Sequence, residues 1–295
     1  MGLLPHDIDI LPASDDRVFK LLLTSPKAKP GLIKLIAGVI RRNVLDVSVH
    51  SNELPVTDTK EKAERFDVNC KIDDGSQINL EMQASRMKED VGGEHRNLKG
   101  KSIYYLCDLH SSQPSKGEKR YDRLARTYQV TFCSYTIFPK RDEYVNSYSV
   151  RHDVDNELLS DAVQVVFIEL SKLDEVIKKP VEEMTDLEKW SIFFQYAQDP
   201  DYREIVNKII QSEEVLTVAS ELLMSISRNE QERAIFRSRR KFQTDYDSDM
   251  ATSKDNGIAE GIQLVAKNLL KMNMPIDQIV TATGLRPEEV KDLKV

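Results

Sequence analysis

The sequence predicts an α+β protein, α/β-like in its first part, in which strands and helices alternate before an all-α C-terminal region. Three observations predict this class. Two runs of alternating apolar and polar residues surround an Asp-Gly turn near residue 74, and further β-rich segments are mixed with helical patterns up to about residue 176. Beyond residue 177 the periodicity is helical only. A chain of 295 residues can bury a sizeable core in this arrangement.

The N-terminal part of the sequence predicts two helices and a strand. Residues 1–14 carry no periodic pattern and are expected to form a loose leader. Apolar residues at helical spacing predict a helix from Asp15 to Thr24. A second helix is predicted to begin at Pro30, because the first turn of a helix does not need the missing N–H of proline. Val44 to His50 alternates as a strand.

The stretch from residue 65 to residue 85 predicts a β-hairpin. A three-residue loop, Asp73-Asp74-Gly75, would pair residues whose numbers sum to 148. This register keeps the apolar side chains together, whereas a slip of one residue would turn every side chain to the other face. The hairpin is therefore expected to have one apolar face and one polar face, with Asp67 directly opposite Glu81 on the polar face.

The rest of the sequence predicts one more helix of the sheet domain, three strands and then helices alone. The amphipathic helix covers Leu98 to His110. The strands are Tyr128–Phe138, Tyr144–His152 and Val163–Leu170. The first of them has β-forming residues on both faces and is expected to be interior. Thr185-x-x-Glu188 predicts a capping box that begins a helix after the sheet. The boundaries that follow are a sheet domain over 15–176, a helical region over 177–243, a polar linker over 244–257 and a small helix-turn-helix-like tail over 258–295.

Composition excludes several classes of protein. The net charge of −7 argues against a polybasic protein that binds nucleic acid along its whole surface. Three scattered cysteines and five scattered histidines show none of the spacings of zinc or redox motifs, while a hard-cation site made of oxygen ligands stays open. The longest apolar stretch, Leu32 to Ile40, is half a membrane span, so no membrane partner is expected and a cytoplasmic protein is the default.

The opposed acids of the hairpin are the main candidates for chemistry. Two carboxylates facing each other on a sheet repel unless a positive charge lies between them. A divalent cation such as Mg²⁺ can supply that charge, and it can also activate water at a phosphodiester. The alternative is that Asp67 and Glu81 are solvated residues on an exposed face, one of them paired with Lys71.

These residues also resemble a known family. Asp67, the Asp-Gly turn and then Glu81-Met82-Gln83 resemble the D…ExK core of the PD-(D/E)XK nuclease superfamily, and more narrowly its recombination-promoting nuclease or transposase-like branch. The resemblance extends over residues 15–175. Its other parts are Asp16-Arg17-Val18-Phe19-Lys20, Tyr104-Tyr105, Gln113, Gly117, Tyr121 and Val166-Phe167-Ile168-Glu169-Leu170.

The resemblance implies a restriction-endonuclease-like fold, with a mixed β-sheet core flanked by helices. It also implies a Mg²⁺-dependent DNA endonuclease linked to recombination or mobile DNA, with Mn²⁺ able to replace Mg²⁺. Asp67, Glu81 and the backbone carbonyl of Met82 would bind the metal ion. Gln83 would take the place of the usual lysine that orients the attacking water, and Asp16 would be a third acid. Because Gln83 carries no positive charge, weak activity is expected.

The surface beside the hairpin is locally basic, and DNA is the expected partner. Residues 82–126 hold ten basic and six acidic residues, with tyrosines between them, as in proteins that follow a phosphate backbone. The alternative is a solvated helix with tyrosines in the core, which fits Tyr105 better than base stacking. The candidate DNA contacts are Lys20, Arg96, Lys101, Tyr105, Gln113, Lys119 and Arg120.

A second hypothesis is that the chain is a nuclease-like module without catalytic activity that binds DNA or a protein partner. The acidic net charge and Gln83 are the features that favour it. Acid–base hydrolysis of another substrate by the carboxylate pair is a weaker alternative, because no aromatic residue suited to sugar stacking neighbours the hairpin. A homodimer is expected only by analogy with enzymes that cut both DNA strands.

Overall fold

The computed structural model describes residues 2–50, 68–84, 95–113 and 120–293. The described residues form a six-stranded mixed sheet with helices on both faces, followed by a helical C-terminal part, as the sequence predicts. The strands are β1 (Val47–Val49), β2 (Val68–Ile72), β3 (Gln77–Gln83), β4 (Thr127–Cys133), β5 (Val145–Ser149) and β6 (Val163–Glu169). The helices are α1 (Asp16–Thr24), α2 (Lys29–Ile40), α3 (Arg96–Ser111), α4 (Asp186–Tyr196), α5 (Arg203–Ser212), α6 (Glu214–Arg228), α7 (Glu230–Lys271), α8 (Ile276–Thr283) and α9 (Pro287–Asp292).

The strand order in the sheet is β1-β2-β3-β4-β6-β5. The three strands at the β1 edge are antiparallel, β3, β4 and β6 run parallel, and β5 closes the other edge antiparallel to β6. The β2–β3 hairpin has the predicted register, with Val68 opposite Leu80 and Asn69 opposite Asn79. Its loop turns at Gly75, whose φ of 88° lies in the left-handed region that glycine adopts at little cost.

One face of the sheet is apolar and is covered by α1, α2 and α4, and α6 packs against α1 and α2. Phe19 of α1 and Phe194 of α4 meet Phe132 of β4, with ring centroids 5.1–5.6 Å apart. Helix α4 begins with the predicted capping box, in which Thr185 and Glu188 exchange side-chain and backbone hydrogen bonds. These aromatic contacts form the centre of the core.

The other face is partly polar and is covered by α3. The Ser102 hydroxyl of α3 lies 3.4 Å from the Thr131 hydroxyl of β4, and alternate residues of a strand point to opposite faces. Leu98 and Leu106 of α3 pack on the apolar residues of β6 on this side, in a cluster that includes Phe167. Helix α3 therefore covers the polar residues of β3 and β4, whereas the alternative interpretation placed Glu81 in solvent.

The structure divides into two compact units, residues 1–229 and residues 230–295. The first unit contains both the sheet and helices α1–α6. The division therefore lies at residue 229 and not near residue 176, where the sequence predicts a boundary. The second unit has its own small core of Ala266, Ile279 and Val290. Among the described residues, no helix is both long and apolar enough to cross a membrane.

The expected leader is part of the first unit. Leu4, Ile10 and Leu11 are buried. The Leu4 backbone N–H donates to Asn207 Oδ1 over 2.8 Å, and the Leu11 N–H donates to the Ser227 hydroxyl over 3.0 Å. The description of residues 1–14 as loose is wrong for the residues that the structure describes. No periodic pattern could reveal this, because the segment is extended and its partners lie about 200 positions along the chain.

The expected linker over 244–257 is also different in the structure. These residues lie inside α7, which runs without a break for 42 residues. No proline occurs between residues 201 and 274, so nothing in this part of the backbone blocks a helix. The segment lacks apolar periodicity because its side chains are all exposed.

Candidate active site

Glu81 lies on β3, in the interior of the sheet, and points into the polar layer beneath α3. Its side chain is only 7% exposed, and one carboxylate oxygen forms a short ion pair with Lys101 Nζ of α3. The interpretation of Glu81 as a solvated surface acid is therefore wrong. Its cationic partner is Lys101 rather than Lys71, which is exposed on β2.

Asp67, the predicted partner of Glu81, lies outside the described residues. The described pairing of β2 with β3 begins at the next residue, with Val68 opposite Leu80. Continuing the same antiparallel register by one pair would set Asp67 opposite Glu81, as the sequence predicts. The pairing of the two acids stays a prediction.

A chain of side-chain amides holds the other oxygen of Glu81. Asn79 Nδ2 donates to Gln129 Oε1 over 2.8 Å, and Gln129 Nε2 lies 3.4 Å from Glu81 Oε2. Asn79 and Gln129 are completely buried. Buried polar groups of this kind form hydrogen bonds among themselves because leaving one without a partner is costly. The chain restricts the direction in which the Glu81 carboxylate can point.

The strand geometry defines where the Met82 carbonyl and the Gln83 side chain point. The Gln83 carbonyl accepts a hydrogen bond from the Ser134 N–H beyond β4, and the Gln77 N–H donates to the Arg126 carbonyl on the same side. Backbone groups alternate along a strand, so the Met82 carbonyl points the other way, towards β2. The half-buried Gln83 side chain lies on the same face of β3 as Glu81.

Asp16 and Lys20 belong to α1, on the apolar side of the sheet. Asp16 is the first residue of that helix, and its carboxylate accepts a hydrogen bond from the Arg17 N–H over 2.7 Å. Lys20 is half-buried. Helix α1 and Lys101 therefore approach the sheet from opposite faces, and a role for Asp16 as a third acid stays a prediction.

The candidate DNA-contacting residues are spread along α3 and beyond it. Tyr105 is half-buried, not in the core, and Lys101 Nζ lies 5.3 Å from the centre of its ring. Arg96 is exposed at the first residue of α3, whereas Gln113 follows the last turn, on the order of 24 Å away along the helix. Among the described members of this set, Lys101 contacts Glu81 and Tyr105 lies next to Lys101.

Gln113 has a structural role in the described structure. Its side-chain amide donates to the Ala125 carbonyl over 2.9 Å and accepts from the Ala125 N–H over 2.8 Å. It also donates to the Thr127 hydroxyl, which lies 2.8 Å from His110 Nδ1. These contacts connect the end of α3 to the start of β4 and favour a positioning role over contact with DNA.

Of the remaining two candidates, the structure describes one. Arg120 is exposed and its guanidinium pairs with Asp122, two residues further on. Lys119 lies outside the described residues.

Two of the three cysteines are excluded as nucleophiles at neutral pH. Burial raises the pKa of the Cys70 thiol to about 12. Burial also raises the pKa of Cys133, and the negative charge of Glu81 adds to that effect. A thiol in either place stays protonated and unreactive. Neither of these two thiols is therefore a candidate for chemistry at the site.

Comparison with known proteins identifies the family. A family model described as PD-(D/E)XK nuclease family transposase matches residues 13–253. The chain belongs to this family. No curated protein and no solved structure matches the chain. The PD-(D/E)XK fold agrees with the mixed sheet and flanking helices, and nucleases of this kind typically use divalent metal ions.

The donors on β3 fit the hard metal ion that PD-(D/E)XK nucleases use. The carboxylate of Glu81 and the Met82 carbonyl are oxygen ligands of the kind that Mg²⁺ and Mn²⁺ bind. The buried Asn79 Oδ1 has no hydrogen-bond partner in the described part of the chain, so this polar layer retains an unused oxygen acceptor. The described residues contain no group of three or more acidic, histidine or cysteine side chains that could hold a metal ion. Asp67 lies outside those residues.

Sequence reasoning missed the amide chain behind Glu81. Asn79 and Gln129 looked like ordinary polar residues of a sheet, and Gln129 stood in a strand expected to be interior on both faces. A glutamine at the centre of an interior strand is the signal that could have found it, because a buried amide needs a polar partner. The partner itself, Glu81, lies 48 positions away.

Proposed function

We propose that this chain hydrolyses phosphodiester bonds of DNA with the help of a divalent metal ion, and that it acts on recombining or mobile DNA. The observation that carries the proposal is the place of Glu81. It is buried on the face predicted to carry Asp67, with a cation from α3 against one oxygen and an amide near the other. Membership of a nuclease family makes DNA the substrate that fits this arrangement.

The residues have separate roles in the proposed site. Asp67, Glu81 and the Met82 carbonyl would hold the metal ion, Mg²⁺ or in its place Mn²⁺. A divalent ion so held supplies an acidified water and neutralises charge on the phosphate. The amide chain from Asn79 through Gln129 limits rotation of Glu81, and such supporting contacts usually matter for metal affinity.

Gln83 and Lys101 would share the role that a single lysine has in most PD-(D/E)XK nucleases. The amide of Gln83 can orient an attacking water through a hydrogen bond, but it adds no charge. Lys101 supplies the positive charge from α3, and its side chain is 26% exposed and so open to an approaching phosphate. A positive group positioned in advance near a developing negative charge lowers the barrier to phosphoryl chemistry.

The ion pair between Glu81 and Lys101 also favours the second candidate, a nuclease-like module without catalytic activity. In that case Lys101 takes the place of a metal ion and the polar layer only stabilises the fold. The two candidates differ in whether catalysis and metal binding depend on Glu81.

A plasmid nicking assay with added Mg²⁺ separates the candidates. We expect the wild-type chain to nick supercoiled DNA, and Asp67→Asn and Glu81→Gln to lose activity by a factor of about 10² or more, since each change removes a charged oxygen ligand. The matched control is Glu175→Gln. Glu175 is 85% exposed and, among the described residues, forms a surface ion pair with Lys178.

Two results would reject the proposed site. Nicking by both acid variants at the wild-type rate would show that the acids do not carry the activity. An inactive wild-type chain that nevertheless binds DNA in the absence of divalent ions would support the module without catalysis.

A further inference from the structure

Helix α7 is exposed on all sides along most of its length. From residue 237 to residue 261 every side chain is exposed. Isolated helices of this kind are marginal in water, and Gly257 and Gly261 each weaken one by about 1 kcal/mol relative to alanine. Nothing in the described structure lies within 4 Å of the position that a side chain on either glycine would take. We therefore expect this part of α7 to bind a partner along its length.

One face of α7 carries a short aromatic and apolar stripe, with a charged residue towards each end of it. Phe242 and Tyr246 lie one turn apart, 72% and 45% exposed, and their rings stack with centroids 6.5 Å apart. Met250 continues the stripe in the next turn and is 41% exposed. Arg239 and Asp249 lie within about 60° of Tyr246 around the helix axis, on the same face.

The charges along α7 are divided between its two parts. Residues 237–241 contain four basic residues and no acid, whereas residues 245–249 contain three aspartates and no basic residue. Arg239 and Asp249 of one copy are about 15 Å apart along the helix, too far to pair with each other. Because of this division, the basic part of one α7 can face the acidic part of a second α7 that runs in the opposite direction.

We propose that α7 is a self-association surface whose occupant is α7 of a second copy of this chain, packed antiparallel. Placing Phe242 opposite Tyr246 of the second copy sets Arg239 opposite Asp249, once on each side of the two-fold axis. The basic segment of each copy then lies beside the acidic segment of the other. A parallel pair in register would set Arg239 against Arg239 and aspartate against aspartate, which repel.

Charge reversal tests both the surface and its direction. Sedimentation velocity on the full chain at tens of micromolar should show a wild-type dimer. We expect Arg239→Asp and Asp249→Arg each to weaken the dimer about tenfold, because each removes two equivalent pairs and creates two repulsions. The double variant should return to near wild-type affinity. The control is Arg237→Asp, with the same charge change about 180° around the helix, and we expect it to leave the dimer intact.

Disulfide cross-linking gives a second measure that does not depend on these charges. The double variant Arg239→Cys and Asp249→Cys, in a Cys107→Ser background that removes the exposed native cysteine, should form covalent dimers on mild oxidation. Within one copy the two cysteines are far beyond the Cα separation that a disulfide spans.

The proposal is overturned by a monomeric wild-type chain, or by single reversals that leave the dimer unchanged. It is also overturned by a double reversal that restores nothing, or by an effect of Arg237→Asp equal to that of Arg239→Asp. Loss of nicking by the Glu81 variant with the dimer intact would separate this surface from the proposed active site.

Discussion

At the scale of single residues, the pair of Glu81 and Lys101 is the centre of the account. The carboxylate is almost fully buried, and the ammonium reaches it from a helix that begins fifteen residues later along the chain. Removing a cation from a buried carboxylate usually costs more than the pair itself contributes, because the remaining charge stays uncompensated. A catalytic role for Lys101 must therefore be separated from a structural one.

We predict that Lys101→Met lowers the nicking rate by about 10² while Mn²⁺ binding is retained, since the metal ligands stay in place and only the positive charge for the phosphate is lost. Nicking kinetics and calorimetric titration with Mn²⁺ measure the two quantities. Lys101→Arg should recover part of the rate.

The matched control is Lys99→Met on the same helix. Lys99 Nζ lies 4.9 Å from the centre of the Phe138 ring and is not part of the proposed site. An equal loss of rate in both variants would mean that general attraction to DNA, and not the position of Lys101, explains the effect.

The sequence was sufficient to predict Glu81 and its face, but not its surroundings. The alternation around Gly75 determines which side chains share a face, and that information is local. The burial of that face depends on α3, which crosses it from a distant part of the chain. A lysine that contacts Glu81 from twenty positions away leaves no periodic signal. Lys101 could therefore be predicted as a candidate DNA contact but not as the partner of Glu81.

At the scale of elements, the strands and helices of the sheet domain could be predicted more completely than their packing. The hairpin register, the interior place of β4 and the capping box before α4 all follow from short patterns. Helix α7 could not be predicted as one helix, because most of its length is exposed and has no apolar periodicity. The mixed sheet also depends on buried polar contacts between elements.

The end of β6 illustrates such a contact. The completely buried Glu169 accepts hydrogen bonds from the Ile137 and Phe138 N–H groups over 2.6 and 3.0 Å. Its other oxygen lies 2.9 Å from Asn146 Nδ2 and 2.8 Å from Lys172 Nζ. Four donors therefore converge on one carboxylate that connects β6 to the segment after β4.

We predict that Glu169→Gln lowers the free energy of unfolding by about 3 kcal/mol, because Lys172 loses its counter-charge and the new amide N–H₂ faces other donors. Urea unfolding followed by circular dichroism measures it. The same substitution at the exposed Glu175 should change stability by less than about 0.5 kcal/mol. A Glu169 variant as stable as the control would show that this carboxylate is not needed to hold the two segments.

At the scale of the whole molecule, the chain consists of two compact units, and the family match extends from the first into α7 of the second. The sheet, the segment 2–14 and helices α1–α6 form the unit that carries Glu81. The second unit carries the long helix on which we place self-association. Catalysis and assembly are thus assigned to different parts of the chain and can be removed independently.

The most direct test of the central claim is a crystal of the full chain soaked in Mn²⁺ and measured at the manganese absorption edge. The account predicts an anomalous peak between the carboxylates of Glu81 and Asp67, within coordination distance of the Met82 carbonyl, and loss of that peak in Glu81→Gln. A wild-type crystal with no peak at Glu81, or an unchanged peak in the variant, would contradict the assignment.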